Sequence, residues 1–185
     1  MIVHEPWEGP DYAAGINGKR VAIVGNSHWH EPGEPDSANC TQVVVGKVIS
    51  GEWDIAFFSH IGDYFGIPEP RDFWNRTVFF NYAPRSIGTR DEKYDNIPPE
   101  YKEEAIARFG SIVRDKAPTD VFIFSRKIAW ALPPREVWSR TYPFPGAATG
   151  TLKDLENSPR VHLLRHPQYA PKAQMTATVA EMMAD

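Results

Sequence analysis

Cysteine is nearly absent from this 185-residue chain, and the single Cys40 excludes an internal disulfide, a thiolate metal cluster and a dithiol redox pair. Long apolar runs are missing as well. No window approaches the roughly 20 consecutive apolar residues of a membrane span, and Met1 to Pro10 carries Glu5, Trp7 and Glu8 where a secretory signal needs a basic start and an apolar stretch. There is no excess of basic charge: 20 Lys and Arg face 24 Asp and Glu, a formal net charge of −4. This argues against a non-specific coat for nucleic acid, although an average says nothing about one face. Internal repeats and low-complexity tracts are lacking too, with 17 Pro and 13 Gly scattered as punctuation. The expectation is a soluble, cytoplasmic monomer with no metal or cofactor.

Apolar residues make up 42% of the chain, enough to bury one core but not two. One domain is expected over 1–185, with 1–19 as an N-terminal segment and the core from about 20 onward. Four short apolar, β-rich runs stand out: Val21–Val24, Thr77–Phe80, Val121–Phe124 and Val161–Leu164. Helical patterns lie between them, over Thr41–Ile49 with Ser37-Ala38-Asn39 as a cap and Gly51 as a stop, over Asp54–Phe65, and over Glu100–Lys116. Ser86–Pro99 reads as a surface loop and Pro133–Gly150 as a Pro/Gly-rich connection, while Gln174–Met183 reads as a closing helix. Strands alternating with helices imply a parallel sheet covered on both faces, here a three-layer α/β/α sandwich on a central four-stranded, mainly parallel sheet.

Ligands of such sheets lie beyond the carboxyl ends of the strands. The polar clusters of this chain fall at those ends: Gly25-Asn26-Ser27-His28-Trp29-His30, Asn81-Tyr82-Ala83-Pro84-Arg85, Ser125-Arg126-Lys127, and Arg165-His166-Pro167-Gln168-Tyr169. Arg85, Arg126, Lys127, Arg165 and Lys172 could therefore form a basic rim, with Gln168 beside them, for phosphates. The plain alternative is a set of solvated loop charges. His28, His30 and His166 could be imagined as a metal site, but no acidic ligand accompanies them at a recognisable spacing. His4, His60 and His162 read as structural or surface residues, His162 as a satisfied, partly buried one.

With these two end stations, G-N-S-H-W-H and H-P-Q-Y, the chain resembles the uracil-DNA glycosylase superfamily. That family carries motifs such as G-Q-D-P-Y-H or G-I-N-P-G after the first strand and H-P-S after the last. V-F-F-N-Y-A-P resembles the family's strand that ends in a base-reading Asn. Tyr64-Phe65-Gly66-Ile67-Pro68 followed by Phe73-Trp74 resembles its aromatic loop, so the resemblance runs from about Arg20 to Lys172. It implies a monofunctional DNA repair glycosylase that hydrolyses the N-glycosidic bond of flipped uracil, and of other deaminated bases, to leave an abasic site. Asn81 would read the base, with Gly25, Trp29 and Tyr82 around it. Phe65, or less favourably Tyr64 or Phe58, would stack on it. His166 would stabilise the leaving base. Ser27 stands where the family carries the Asp or Asn that positions water, and serine is no carboxylate base at neutral pH, which leaves Asn26 or His28 to orient the water. Trp29 replaces the family's Tyr and Gln168 the Ser of H-P-S. Asp63 and Glu52 are candidates to supply the missing carboxylate, with solvated surface as the plainer fate.

Two other readings stay open. One is a catalytically weak module that binds damaged or abasic DNA. The other is an S-G-N-H-like esterase with Ser27 as nucleophile, in which the residue three before His166 should be Asp but is Leu163.

Overall fold

The computed structural model describes residues 2–30, 33, 35–89, 96–153 and 158–184. Part of the loop expected over Ser86–Pro99, residues 90–95, lies outside the described residues. The four apolar runs form the centre of the sheet as β2 (Val21–Gly25), β3 (Thr77–Asn81), β4 (Asp120–Ile123) and β7 (Arg160–Leu163). They lie side by side in the order β3-β2-β4-β7, all parallel. Every residue of β2 and β3 is buried, as near-continuous apolar strands covered on both faces should be.

The sheet is larger than the four strands expected. Seven strands pair in the order β1-β3-β2-β4-β7-β6-β5. Trp7–Glu8 of the N-terminal segment forms β1, antiparallel to β3, and the Pro/Gly-rich connection supplies β5 (Arg135–Val137) and β6 (Ala148–Leu152), antiparallel to each other, with β6 antiparallel to β7. These edge strands are short and half exposed, so they lack the apolar run that marks a central strand.

Alternate residues of the central strands point to opposite faces. Ala22, Val24, Val78, Phe80, Val121 and Ile123 pack with Ala105, Phe109, Ile112 and Val113 of α4 (Lys102–Lys116). Ile23, Phe79 and Phe122 pack on the other side with α1 (Cys40–Ile49), α2 (Ala56–Tyr64), α3 (Pro70–Trp74) and α5 (Lys172–Ala184). Ser37-Ala38-Asn39 precedes α1 as expected, and Gly51 ends it with φ at +76°, a conformation glycine adopts without strain. Among the described residues no helix is long and apolar enough to cross a membrane.

The expected role for His162 holds. Buried in β7, it bonds Thr149 Oγ1 at 2.9 Å and Asp120 Oδ1 at 3.0 Å, and Arg160 reaches the same carboxylate oxygen at 2.6 Å. Thr, His and Asp are aligned there as in a hydrolytic triad, but each is at most 1% exposed, which leaves them a structural network.

Candidate active site at the carboxyl ends of the central strands

Parallel pairing brings the ends of β3, β2, β4 and β7 to one edge. Asn81 and Gly25 are register partners there, and the loops continue upward through bonds from Tyr82 N to Gly25 O, 3.0 Å, and from Ala83 N to Asn26 O, 2.9 Å. A β-carbon on Gly25 would overlap Asn81 Oδ1 and lie 3.4 Å from Phe57 Cζ. The Asn81 side chain therefore rests on bare backbone, a close approach that only glycine permits. Asn81 is 5% exposed, and no described residue hydrogen-bonds its side-chain amide. Its backbone carbonyl is held by Arg108, whose Nη1 donates to Asn81 O at 2.7 Å while Nη2 donates to His4 O at 2.5 Å. Burial lowers the Arg108 pKa to about 10, which still leaves it cationic at neutral pH.

Phe57, in the first turn of α2, joins this pair to the last strand. Its ring lies 5.3 Å from that of His166 and 5.9 Å from that of Phe79. His166 also faces Tyr169, ring centres 5.8 Å apart. The backbone N–H of Gln168 donates to His166 Nδ1 at 3.3 Å. An accepting Nδ1 in a neutral ring leaves the proton on Nε2. The ring is kept neutral because burial, and then the charge of Lys127, lowers its pKa. His166 thus offers an N–H donor at this edge, a few ångströms from an aromatic face. Ser27 lies next along the chain from Asn26, whose Nδ2 is 3.4 Å from Ser27 Oγ.

Of the residues expected in the site, Gly25, Asn26, Ser27, Asn81 and His166 are brought to this edge, and Arg126, Lys127, Arg165 and Gln168 are exposed around it. Trp29 stands 37% exposed on the loop after β2. Several others are elsewhere. Phe65 packs on Phe73 and Phe122, with ring centres 5.2 and 4.9 Å apart, because it closes α2 eight residues after Phe57. Tyr64 and Phe58 are buried in the same core. Tyr82 points to the other face of the sheet and donates to Ala131 O at 2.6 Å. His28 is turned inward onto Thr41 Oγ1 at 3.1 Å and against His4, and burial followed by the His4 charge lowers its pKa to about 3. It is a neutral packing residue and not a water ligand. Arg85 is bound by both oxygens of Glu104, at 2.5 and 2.7 Å, and Lys172 pairs with Asp63 at 2.6 Å. Neither is a ready phosphate ligand. Asp63 is tied up in that pair and Glu52 in one with Lys47, so neither replaces the carboxylate missing at Ser27.

Phe57 and Arg108 were not legible as site residues. Phe57 is one of two adjacent Phe, and only the packing decides which turns to the edge; Arg108 lies amid a charged helical pattern with no motif around it. No described carboxylate bonds His166, so Ser27 and His166 do not complete a nucleophilic triad. The His28, His30 and His166 grouping is not assembled either. The donors that do converge are His4, Asp36 and Cys40, within 4.8 Å of one another. Asp36 there already accepts from His4, Ser37 N, Ser86 N and Ser86 Oγ, and burial raises the Cys40 pKa to about 11, so this cluster is a hydrogen-bonded tie between the N-terminal segment and the loop after β3.

Two surface cavities, of about 370 and 270 Å³, lie beside Phe65 and α5 and between α4 and β6; neither is lined by Gly25, Asn81 or His166. No protein-family model and no curated protein matches the chain.

Proposed function

We propose that the protein is a DNA glycosylase that removes uracil, and other deaminated bases, from a flipped nucleotide. The observation that carries this reading is the Asn81 amide, 5% exposed and without a hydrogen-bonding protein partner among the described residues, held over Gly25 between an aromatic ring and a neutral His166. A buried, unspent amide is costly unless a ligand satisfies it. Its N–H and carbonyl oxygen match the O4 and N3–H edge of uracil. Helices on both faces of a mainly parallel sheet support the three-layer, glycosylase-like form of the fold.

In the reaction the C1′–N1 bond breaks with its electron pair leaving on the base, while water adds to C1′ and its proton is passed on. The base sits against Phe57 and is read by Asn81. His166 donates its Nε2–H to the base oxygen where negative charge gathers, a contribution of about 3 kcal/mol. The Asn26-Ser27 turn positions water without a carboxylate, which suits a dissociative reaction that needs orientation more than a strong base. No metal or cofactor enters. Incubation with uracil-containing oligonucleotides is expected to leave alkali-labile abasic sites, and intact strands at enzyme excess would refute the proposal.

The serine in place of a carboxylate favours one second reading, a module that holds a damaged or abasic nucleotide without hydrolysing it. Tight binding of such an oligonucleotide with no released base would select it.

A further inference from the structure

The same edge continues beyond His166. β6 runs antiparallel to β7 and β5 antiparallel to β6, so β5 points the same way as β7 and delivers Trp138 to the side of the molecule that carries the site. Trp138 N bonds Thr149 O at 2.7 Å, and Thr149 is the register partner of His162, so Trp138 stands level with the end of β7. It is 37% exposed. Tyr169, beside His166, is 51% exposed, and Trp130, in the turn after β4, is 45% exposed. Large aromatic rings in water at one edge are a cost unless something stacks on them.

The charge of this half departs from that of the chain. From Ser125 to Gly150 four basic residues, Arg126, Lys127, Arg135 and Arg140, face one acid, Glu136; from Val161 to Ala180 there are two basic residues and no acid. Arg140 lies 3.7 Å from Glu181 and Lys172 is paired with Asp63, which leaves Arg126, Lys127 and Arg165, all exposed, as the cations of the rim. From β2 to β5 this rim spans four strand spacings, about 19 Å, room for several nucleotides.

We infer that the substrate is single-stranded nucleic acid, laid across the β4 to β5 half of the edge with its unpaired bases on Trp138, Tyr169 and Trp130 and its phosphates on Arg126, Lys127 and Arg165. Stacking on exposed rings requires bases free of a complementary strand, whereas a duplex would present only its backbone. The inference rests on the base-excision reading of the site for its purpose, but its test does not.

Tryptophan fluorescence of the full chain is titrated with undamaged oligo-dT and with the matching dT·dA duplex. The single strand is expected to bind at least tenfold more tightly, with a log–log salt slope of about −2 for three phosphates. Trp138→Ala should weaken oligo-dT binding about tenfold, with Trp138→Phe restoring most of it, and Arg126→Gln should flatten the slope. Equal or tighter binding of the duplex, or unchanged affinity in Trp138→Ala, overturns the inference. Uracil release is followed in parallel on the same proteins. Oligo-dT binding without release would sink the glycosylase reading alone, and release from duplex DNA unaffected by Trp138→Ala would sink the rim alone.

Discussion

Gly25 shows how much one side chain decides here. A methyl group on it would displace Asn81 Oδ1, the end of a side chain and not a backbone atom, so the strand itself can stay in place. Gly25→Ala should therefore lower base release at least tenfold while moving the melting temperature little. Single-turnover kinetics beside a thermal melt checks this, and an unchanged rate would show that Asn81 is not the reader. The glycine and the asparagine were legible because each ends an apolar run where a parallel sheet leaves room for a ligand. Their mutual contact was not, since register between β2 and β3 is set by tertiary pairing and not by either segment alone.

At the scale of elements, the central strands were legible because burial on both faces demands continuous apolar runs. The edge strands β1, β5 and β6 escaped notice for the opposite reason: they are short, partly solvated, and rich in residues that read as loop. The helix over Asp54–Phe65 was expected and is present, but its rotation was not readable from its nearly all-apolar pattern. Only the packing shows that Phe57 faces the edge while Phe65 lies beneath the sheet. Phe57→Ala should thus reduce base release about tenfold or more, by the loss of stacking worth about 1–3 kcal/mol. Phe65→Ala should instead lower stability by about 3–5 kcal/mol with a smaller effect on the rate of the folded fraction. Denaturant melts and single-turnover rates on both variants separate the two roles; the reverse pattern would return the stacking role to Phe65.

The whole molecule is closed by a polar layer under the N-terminal segment. Arg108 spans from Asn81 O to His4 O, His4 bonds Asp36, and His28 packs against His4 and Thr41. This layer makes stability depend on pH. The folded pKa of His28, about 3, is below its ordinary value of 6.5, so between the two the unfolded chain binds a proton that the folded chain refuses. Its contribution is therefore full above pH 6.5 and is lost as pH falls toward 3, a loss on the order of a few kcal/mol. His28→Gln should show a shallower fall in urea midpoint between pH 7 and pH 4.5 than the parent protein; an equal fall would mean that the acid sensitivity lies in carboxylates such as Asp36, whose lowered pKa acts in the same direction.

All of these pieces converge on one amide at the end of β3. The most direct test of its role is the single-turnover release of uracil from a labelled single-stranded oligonucleotide, compared between the parent protein and Asn81→Ala. The parent is predicted to produce an alkali-labile site at the uracil, and Asn81→Ala, still folded by its thermal melt, to lose at least a hundredfold in rate. Equal rates in the two proteins, or no release by the parent at enzyme excess, would contradict the account.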